Sequence, residues 1–425
     1  MIQPVKVKKY GGTSVASVEH IRRVAEDLVS EHQSGVPQLV VVSAMAKTTD
    51  QLMSMALQVT QHPQARELDI LLTTGEQVSI ALLAMAVHNL GAKAIALTGA
   101  QCGIVTDGNF ARARIQNNKT DKLNRLLDEK NIVIVAGYQG ITTDHEITTL
   151  GRGGSDTTAT ALAAAMKSPV CEIYTDVDGV FTADPRLVPE ARLLKFISYE
   201  EMLEYAASGS RVLHPRCVEL AKNFDVPLDV RSSLHHRNGT TIVREEVLEK
   251  VAITGVTGDA GVARVALTQV KDVPGVAARI AESLSEAGIA IRLIIQGIRH
   301  DETNDFSLII SEQDAEQAQT ILEEIAQKVG AQKVRVNTSV AKVSVIGSGV
   351  ASNPGVAAGM FRALAAQDIN IELISSSEVR IACIIQQENL NSAIQAIHKE
   401  FSLENLERNK ISAISPPQST QAARK

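Results

Sequence analysis

The chain has 425 residues, 44% apolar and 21% charged, with a formal net charge of −6, which leaves room for two or three soluble domains. A mildly acidic chain with 3% aromatic residues excludes the basic face and stacking platforms that a nucleic-acid partner requires. No uninterrupted apolar run reaches membrane length, since Ile80 to Leu97 holds His88, Asn89 and Lys93, and no signal-peptide pattern precedes the first strand.

Val5 to Val7 is a strand signal running into Lys9-Tyr10-Gly11-Gly12-Thr13-Ser14, after which Ser17 caps an amphipathic helix from Glu19 to Leu28. Strand, Gly-Gly turn and helix form a phosphate-cradling arrangement, with Lys9 acting as a point charge. It is not a Walker A loop, because the lysine precedes the glycines. Leu39–Val42, Ala94–Leu97, Ile132–Val135 and Val170–Tyr174 are apolar runs too continuous for a one-sided sheet, so they read as parallel strands buried on both faces. Helical patterns over Glu76–Leu90 and Thr120–Lys130 alternate with them, which predicts an α/β sandwich with ligands at the strand ends. Gly151-Arg152-Gly153-Gly154-Ser155-Asp156 then opens a small-residue helix, Ala159 to Met166. Glycines let backbone donors approach an anion, a helix start presents unpaired N–H groups, and Arg152 adds a planar fork. The plainer reading is a turn with Ser155 or Asp156 as an N-cap; a second glycine turn in the same domain weighs against it. Four scattered cysteines, Cys102, Cys171, Cys217 and Cys383, read as reduced, buried residues of a cytoplasmic protein. His235-His236 reads as a solvated loop. The polar stretch Leu234 to Thr241 marks a boundary near residue 245.

Beyond it lies a repeat. Pro274-Gly275-Val276-Ala277-Ala278 recurs at Pro354, an offset of 354 − 274 = 80, and the register holds through Ile289/Ile369 and Ile291/Ile371. Each copy reads strand, Pro-Gly turn, helix, strand, strand, helix, which resembles the ligand-binding ACT module. The first copy has a closing strand, Lys333–Asn337, and the second has none after Phe401. Val251–Val256, unclaimed upstream, is expected to complete the second sheet. The expected division is therefore a catalytic domain at 1–245, a first module at 262–340 inserted in a second module (246–261 plus 341–410), and a disordered tail at 411–425.

Lys9-Tyr-Gly-Gly-Thr-Ser, Ser43-Ala-Met, Thr73-Thr-Gly-Glu76, Gly151-Arg-Gly-Gly-Ser-Asp156 and Tyr174 to Arg186, in that order, resemble the aspartate kinases of the amino-acid kinase family, over nearly the whole chain to about Lys410. The resemblance implies a three-layer α/β/α sandwich with a mainly parallel sheet, followed by two βαββαβ ACT modules. It implies ATP-dependent phosphorylation of the β-carboxylate of L-aspartate, the first step toward lysine, threonine and methionine, with Mg²⁺ accompanying ATP and no resident metal. Bringing a carboxylate to a γ-phosphoryl group joins two anions, so catalysis should consist of positioning and charge neutralisation. Lys9 would neutralise the transferring group, and Gly11, Gly12, Thr13 and Ser43 would line its path. Asp156 fits an organiser of Lys9 and the Mg²⁺ shell, because an ionised carboxylate needs no base. By resemblance Arg152 grips the substrate α-carboxylate and Glu76 its α-amino group, with Thr49, Gly153, Gly154 and Ser155 assisting. Glu76 also reads as a helix N-terminal acid. Thr175, Asp176, Phe181, Asp184, Pro185 and Arg186 resemble the family's nucleotide segment; Asp176 and Asp178 lack the ligand spacing of an EF-hand. Arg211 stands where relatives usually carry lysine and reads as a second phosphate cation, although the two are not interchangeable. His214 reads as a packed or capping histidine. Lys9 reads as a solvated turn lysine, whose loss should hardly affect folding.

The turns at Asp272, Pro274, Gly275, Val276 and Ala277, and at Asn353, Val356 and Ala357, offer helix N-terminal donors to an amino-acid carboxylate. Strands through Ala290, Ile291 and Arg292, and through Asn370 and Ile371, should face them, with Gln296, Ser377 and Glu378 nearby. Lysine and threonine are the effectors the resemblance implies. No methionine lies between Met202 and Met360, which favours a homodimer paired through the modules over a separately started regulatory subunit. A kinase of another small carboxylate or nucleotide, such as acetylglutamate or uridylate, is the nearest alternative. A sensor without chemistry would leave Lys9 and Asp156 idle. Length leaves no room for a fused dehydrogenase.

Overall fold

The computed structural model describes residues 4–235, 237–244, 253–298 and 303–406. Its N-terminal half runs β1 (Lys6–Tyr10), α1 (Val18–Gln33), β2 (Gln38–Val42), α2 (Thr48–Val59), α3 (Ala65–Asn89), β3 (Ala94–Leu97), α4 (Gly99–Cys102), β4 (Ile104–Thr106), β5 (Ile115–Asn118) and α5 (Asp121–Asp128). It continues through β6 (Ile132–Ala136), β7 (Gln139–Ile141), β8 (Ile147–Thr149), α6 (Gly154–Ala165), β9 (Cys171–Thr175), β10 (Phe196–Ser198), α7 (Tyr199–Ala207), α8 (Pro215–Phe224), β11 (Leu228–Ser232) and β12 (Thr240–Val243).

Eight strands form one sheet in the order β10-β12-β11-β9-β1-β2-β6-β3, parallel except where β11 meets β12. Strand β2 shows why its run is continuously apolar. Leu39 and Val41 enter one core with Val133, Leu162 and Val218, while Val40 and Val42 enter the opposite one with Ile21, Leu28, Leu83 and Ile134. Covering each such side chain is worth about 1.5–3 kcal/mol. A smaller sheet, β5-β4-β7-β8, flanks the body.

Helix α3 begins at Ala65, well before the expected Glu76. By length and composition it could cross a membrane, contrary to the sequence reading, but half of its most apolar window is buried inside the protein. It packs on α1, β3 and β6 and carries buried Asp69, Thr73, Glu76 and Ser79, as a core helix of this domain.

The C-terminal half comprises β13 (Gly255–Lys271), α9 (Val276–Glu286), β14 (Leu293–Ile298), β15 (Thr303–Ser311), α10 (Ala315–Val329), β16 (Lys333–Ile346), α11 (Pro354–Ala365), β17 (Leu373–Ser376), β18 (Arg380–Gln386) and α12 (Leu390–Glu400). All six strands join in one sheet, β14-β15-β13-β16-β18-β17. The long strands β13 and β16 run the length of both repeats. Gly255–Asp259 pairs with Ile346–Lys342, and the rest of β13 pairs with the first part of β16 and with β15. Lys333–Asn337 is thus the beginning of β16 and not a separate closing strand. Residues 289–292 and 369–372, expected as strands, precede β14 and β17; Ile289 and Ile369 plug the two cores instead. The expected boundary at 245, the first residues of the 251–256 strand, His236 and the tail fall outside the described residues.

The halves are bonded to each other. Glu201 of α7 accepts hydrogen bonds from the Thr254 hydroxyl (2.5 Å) and the Ser348 N–H (3.1 Å). Arg380 pairs with Glu204 at 2.8 Å. Lys342 donates to the Ala207 carbonyl at 2.9 Å, and burial pushes its ammonium pKa down to about 8.

Candidate active site

Three parallel strand ends converge on the Gly-Gly turn. Gly11 N–H donates to the Tyr174 carbonyl near the end of β9 (3.1 Å), Ser43 N–H donates to the Tyr10 carbonyl (3.1 Å), and Ala46 N–H donates to the Gly12 carbonyl (3.0 Å). A Cβ on Gly12 would stand 2.8 Å from the Ala44 carbonyl oxygen, so only glycine admits this approach. Thr13 faces solvent at the tip.

Strand β1 carries Lys9 to this end. Lys9 is only 9% exposed, and its Nζ lies 2.6 Å from Asp156 Oδ1. The solvated turn lysine of the sequence reading is therefore corrected to a buried ion pair. Asp156 sits in the first turn of α6, whose N-cap is Gly153 (φ +65°) and not Ser155 or Asp156. A Cβ on Gly153 would meet His214 Cβ at 2.1 Å. His214 in turn caps α8, accepting from Arg216 N–H at 3.3 Å; burial lowers its pKa. Gly154 and Ser155 are buried behind this turn.

Glu76 lies mid-way along α3, which removes the helix-terminus reading. It is 3% exposed. Oε1 accepts from Ala44 N–H at 3.2 Å, while Oε2 has no partner, and burial raises the carboxyl to about 7. An unpaired buried oxygen of this kind is costly and marks a socket for a donor. Thr49 is half-buried in the first turn of α2, and that turn packs on α3 next to Glu76: a Cβ on Gly75 would touch Ala44 Cβ at 3.0 Å and Thr48 Cγ2 at 3.5 Å.

Asp69 was missed by the sequence reading. Fully buried, it accepts from Ala111 N–H (2.9 Å), Thr149 N–H (2.8 Å) and the Thr149 hydroxyl (2.7 Å). It ties α3 to β8, just ahead of Gly151. Its signal was an acid two helical turns before Glu76 in an apolar pattern.

Arg152 is exposed, and its Nη2 donates to Gln313 Oε1 at 3.2 Å, so the fork faces the C-terminal half. Thr175 donates to Asp176 Oδ1 (3.2 Å), Phe181 bridges Leu193, and Asp184 clamps Arg186 at 2.7 Å. The hydrogen bond from Arg186 holds the Asp184 carboxyl below its usual value. Pro185 and Arg211 are exposed, Arg211 is near enough to Asp184 for its charge to help lower that carboxyl's pKa, and Asp178 pairs with His235 at 3.0 Å. Among the described residues no group of three or more His, Cys, Asp or Glu side chains could hold a metal.

The candidate effector residues lie elsewhere, in the C-terminal half, mostly in the turns and helix starts that flank its strands. Asp272, Pro274, Gly275, Ala277, Ala290, Gln296, Asn370, Ser377 and Glu378 are exposed, and Ala357, Ile291 and Ile371 half-buried. Val276 and Val356 point into the cores, leaving only their backbone for a ligand. Arg292 is engaged by Asp259 at 2.8 Å, and Asn353 caps α11 through Gly355 N–H at 3.0 Å.

Residues 4–232 match the Amino acid kinase family, and residues 268–325 and 343–401 match the ACT domain. An aspartokinase of Geobacillus stearothermophilus is 49% identical over 398 residues, which cover 93% of this chain and 97% of that protein. The chain belongs to the aspartokinase family. Among solved aspartokinases, E. coli aspartokinase III in complex with aspartate and ADP (R-state) superposes with a TM-score of 0.80 at 25% identity, over 94% of this chain and 99% of that one. The same aspartokinase with lysine and aspartate (T-state) gives a TM-score of 0.72 at 25% identity, with the same coverage.

Proposed function

We propose that this chain transfers the γ-phosphoryl group of ATP to the β-carboxylate of L-aspartate, and that it works in the cytoplasm. A carboxylate oxygen attacks the γ-phosphorus, the bond to the β–γ bridging oxygen breaks, and ADP leaves with 4-phospho-L-aspartate. The observation that carries this reading is the buried Lys9–Asp156 pair at 2.6 Å, set where three strand ends meet a Gly-Gly turn. Lys9 neutralises the transferring group, and Asp156 fixes its ammonium. Gly11, Gly12, Thr13 and Ser43 line the phosphate path. Thr175, Asp176, the Phe181–Arg186 segment and Arg211 hold the nucleotide. The unpartnered Glu76 oxygen takes the substrate ammonium, and Arg152 takes the α-carboxylate once it leaves Gln313. Bound Mg²⁺ would supply shielding of the β- and γ-phosphates, with Asp156 orienting its water shell. The aspartate and ADP in E. coli aspartokinase III support both ligand classes.

Trapping the acyl phosphate with hydroxylamine, using ATP with L-aspartate, acetylglutamate or uridylate as acceptor, tests the reaction: hydroxamate from aspartate alone is expected, and none from aspartate refutes it. Arg152→Lys should raise the aspartate KM roughly tenfold to a hundredfold, the worth of a charged hydrogen bond, with the ATP KM nearly unchanged. An equal rise in both would place Arg152 on the phosphates.

The C-terminal half is proposed to be the regulatory part, a first module at 262–340 inserted in a second (246–261 plus 341–410). The partition of its helices between two cores supports this. Edge strands β14 and β17, with Ile294 and Ile374 nearly half exposed, would pair modules of two chains in a homodimer. Lysine in the T-state of E. coli aspartokinase III supports an amino-acid effector. Lysine and threonine together should inhibit more than either alone. Titration calorimetry detecting neither at millimolar concentration would refute the sensing role.

A further inference from the structure

The Phe181–Arg186 segment belongs to the N-terminal half by sequence and to the second repeat by packing. Ala183 and Val188 lie in the hydrophobic core formed by Val256, Val343, Ile394 and Ile397. Thr182 is fully buried and bonded at every polar atom. Its N–H donates to the Arg192 carbonyl (2.9 Å), and its carbonyl accepts from Val256 N–H at the start of β13 (2.8 Å). Its hydroxyl accepts from Arg192 N–H at 2.9 Å and meets His398 Nε2 of α12 at 3.0 Å, across 216 residues of sequence. One turn earlier on α12, Gln395 donates to the Leu187 carbonyl at 2.8 Å.

His398 is 2% exposed. Glu404 Oε2 stands 3.8 Å from its Nδ1, which favours the tautomer protonated there and leaves Nε2 to accept the threonine proton. Burial lowers the imidazole pKa and keeps the ring neutral. A hydroxyl that accepts from Arg192 and donates to His398 has one fixed rotamer, so the irregular segment leading to Asp184, Pro185 and Arg186 is anchored from α12.

We propose that His398 is a positioning residue for the nucleotide: acting through Thr182 from the second regulatory module, it sets the Phe181–Arg186 segment that ATP contacts. The inference rests on the reading of that segment as nucleotide-binding. A histidine that merely seals the interface would lower thermal stability and leave the two substrates affected alike, whereas a positioning residue acts on ATP alone.

The test compares His398→Leu, which keeps the packing and removes the hydrogen bond, with His398→Gln, whose side-chain carbonyl can accept the same proton. His398→Leu is expected to raise the ATP KM about fivefold to tenfold, the effect of stranding one buried hydroxyl, with the aspartate KM moving less than about twofold and His398→Gln restoring the ATP KM. Thr182→Val should reproduce the loss and Thr182→Ser should not, and this pair decides the matter if His398→Leu does not fold. An unchanged ATP KM in folded His398→Leu, or equal rises in both KM values, overturns the proposal. Arg186→Ala and Asp176→Ala are measured in parallel. If they raise the ATP KM and His398→Leu does not, only the role of His398 falls; if neither does, the nucleotide reading falls and takes the proposal with it.

Discussion

Replacing Lys9 by alanine is expected to lower kcat by two to three decades, roughly 3–4 kcal/mol of transition-state stabilisation, comparable to removing one preorganised electrostatic group from an acyl-transfer site. The ammonium sits 2.6 Å from Asp156 with both side chains close to nine-tenths buried, so its charge acts in a water-poor setting where it counts most. The same burial means that the variant also loses stability. Asp156 would be left without its counter-charge, and breaking a buried pair from one side costs up to about 3–5 kcal/mol. The double variant Lys9→Met/Asp156→Asn removes both charges. It should recover most of the urea midpoint while remaining catalytically poor, which separates the electrostatic role from the structural one. Turnover close to wild type in Lys9→Ala, or a double variant no more stable than the single one, would defeat the assignment.

Parts of this architecture are legible because they are decided locally. Ser17 accepts from His20 N–H and starts α1 as its position suggests. The runs at Leu39–Val42 and Ile132–Val135 become β2 and β6 because both faces of those strands are covered. What escapes is set by distant partners. Thr73-Thr74-Gly75 looks like a helix start, yet α3 passes straight through it, and the glycine there serves close packing, since a Cβ would stand 3.0 Å from Ala44 Cβ. Local alternation also cannot reveal that β13 and β16 each serve both repeats, since the register that splits them is written in the partner strands. Ile289 and Ile291 alternate as a strand would, but they fill a core before β14 begins. Lys9 looks solvated until Asp156, far along the chain, is folded against it. The contacts of Arg152 with Gln313 and of Thr182 with His398 span 161 and 216 residues, with no local pattern to announce them.

The aspartate KM should fall roughly tenfold between pH 6 and pH 8 and level off above, because the socket for the substrate ammonium is a carboxyl whose pKa burial has raised to about 7. Only ionised Glu76 can pair with that ammonium, so below pH 7 each binding event must first expel a proton, at about 1.36 kcal/mol per pH unit. Neither carboxyl of aspartate titrates in this range, and saturating ATP removes the nucleotide's own ionisation from the comparison. Linkage fixes the opposite sign for folding. Between an unfolded value of 4.5 and a folded value of about 7 the folded free protein holds more protons than the unfolded chain, so this group's contribution to stability is lost as pH rises through that window, by roughly 3 kcal/mol at most. Glu76→Gln keeps the shape and removes the titration. It should show a high aspartate KM that is flat with pH, an ATP KM little changed, and a free protein more stable than wild type at pH 8 by denaturant midpoint. A pH-independent aspartate KM in the wild type, or a slope that survives in Glu76→Gln, would mean that the ammonium is held elsewhere and that the free Oε2 of Glu76 serves another donor.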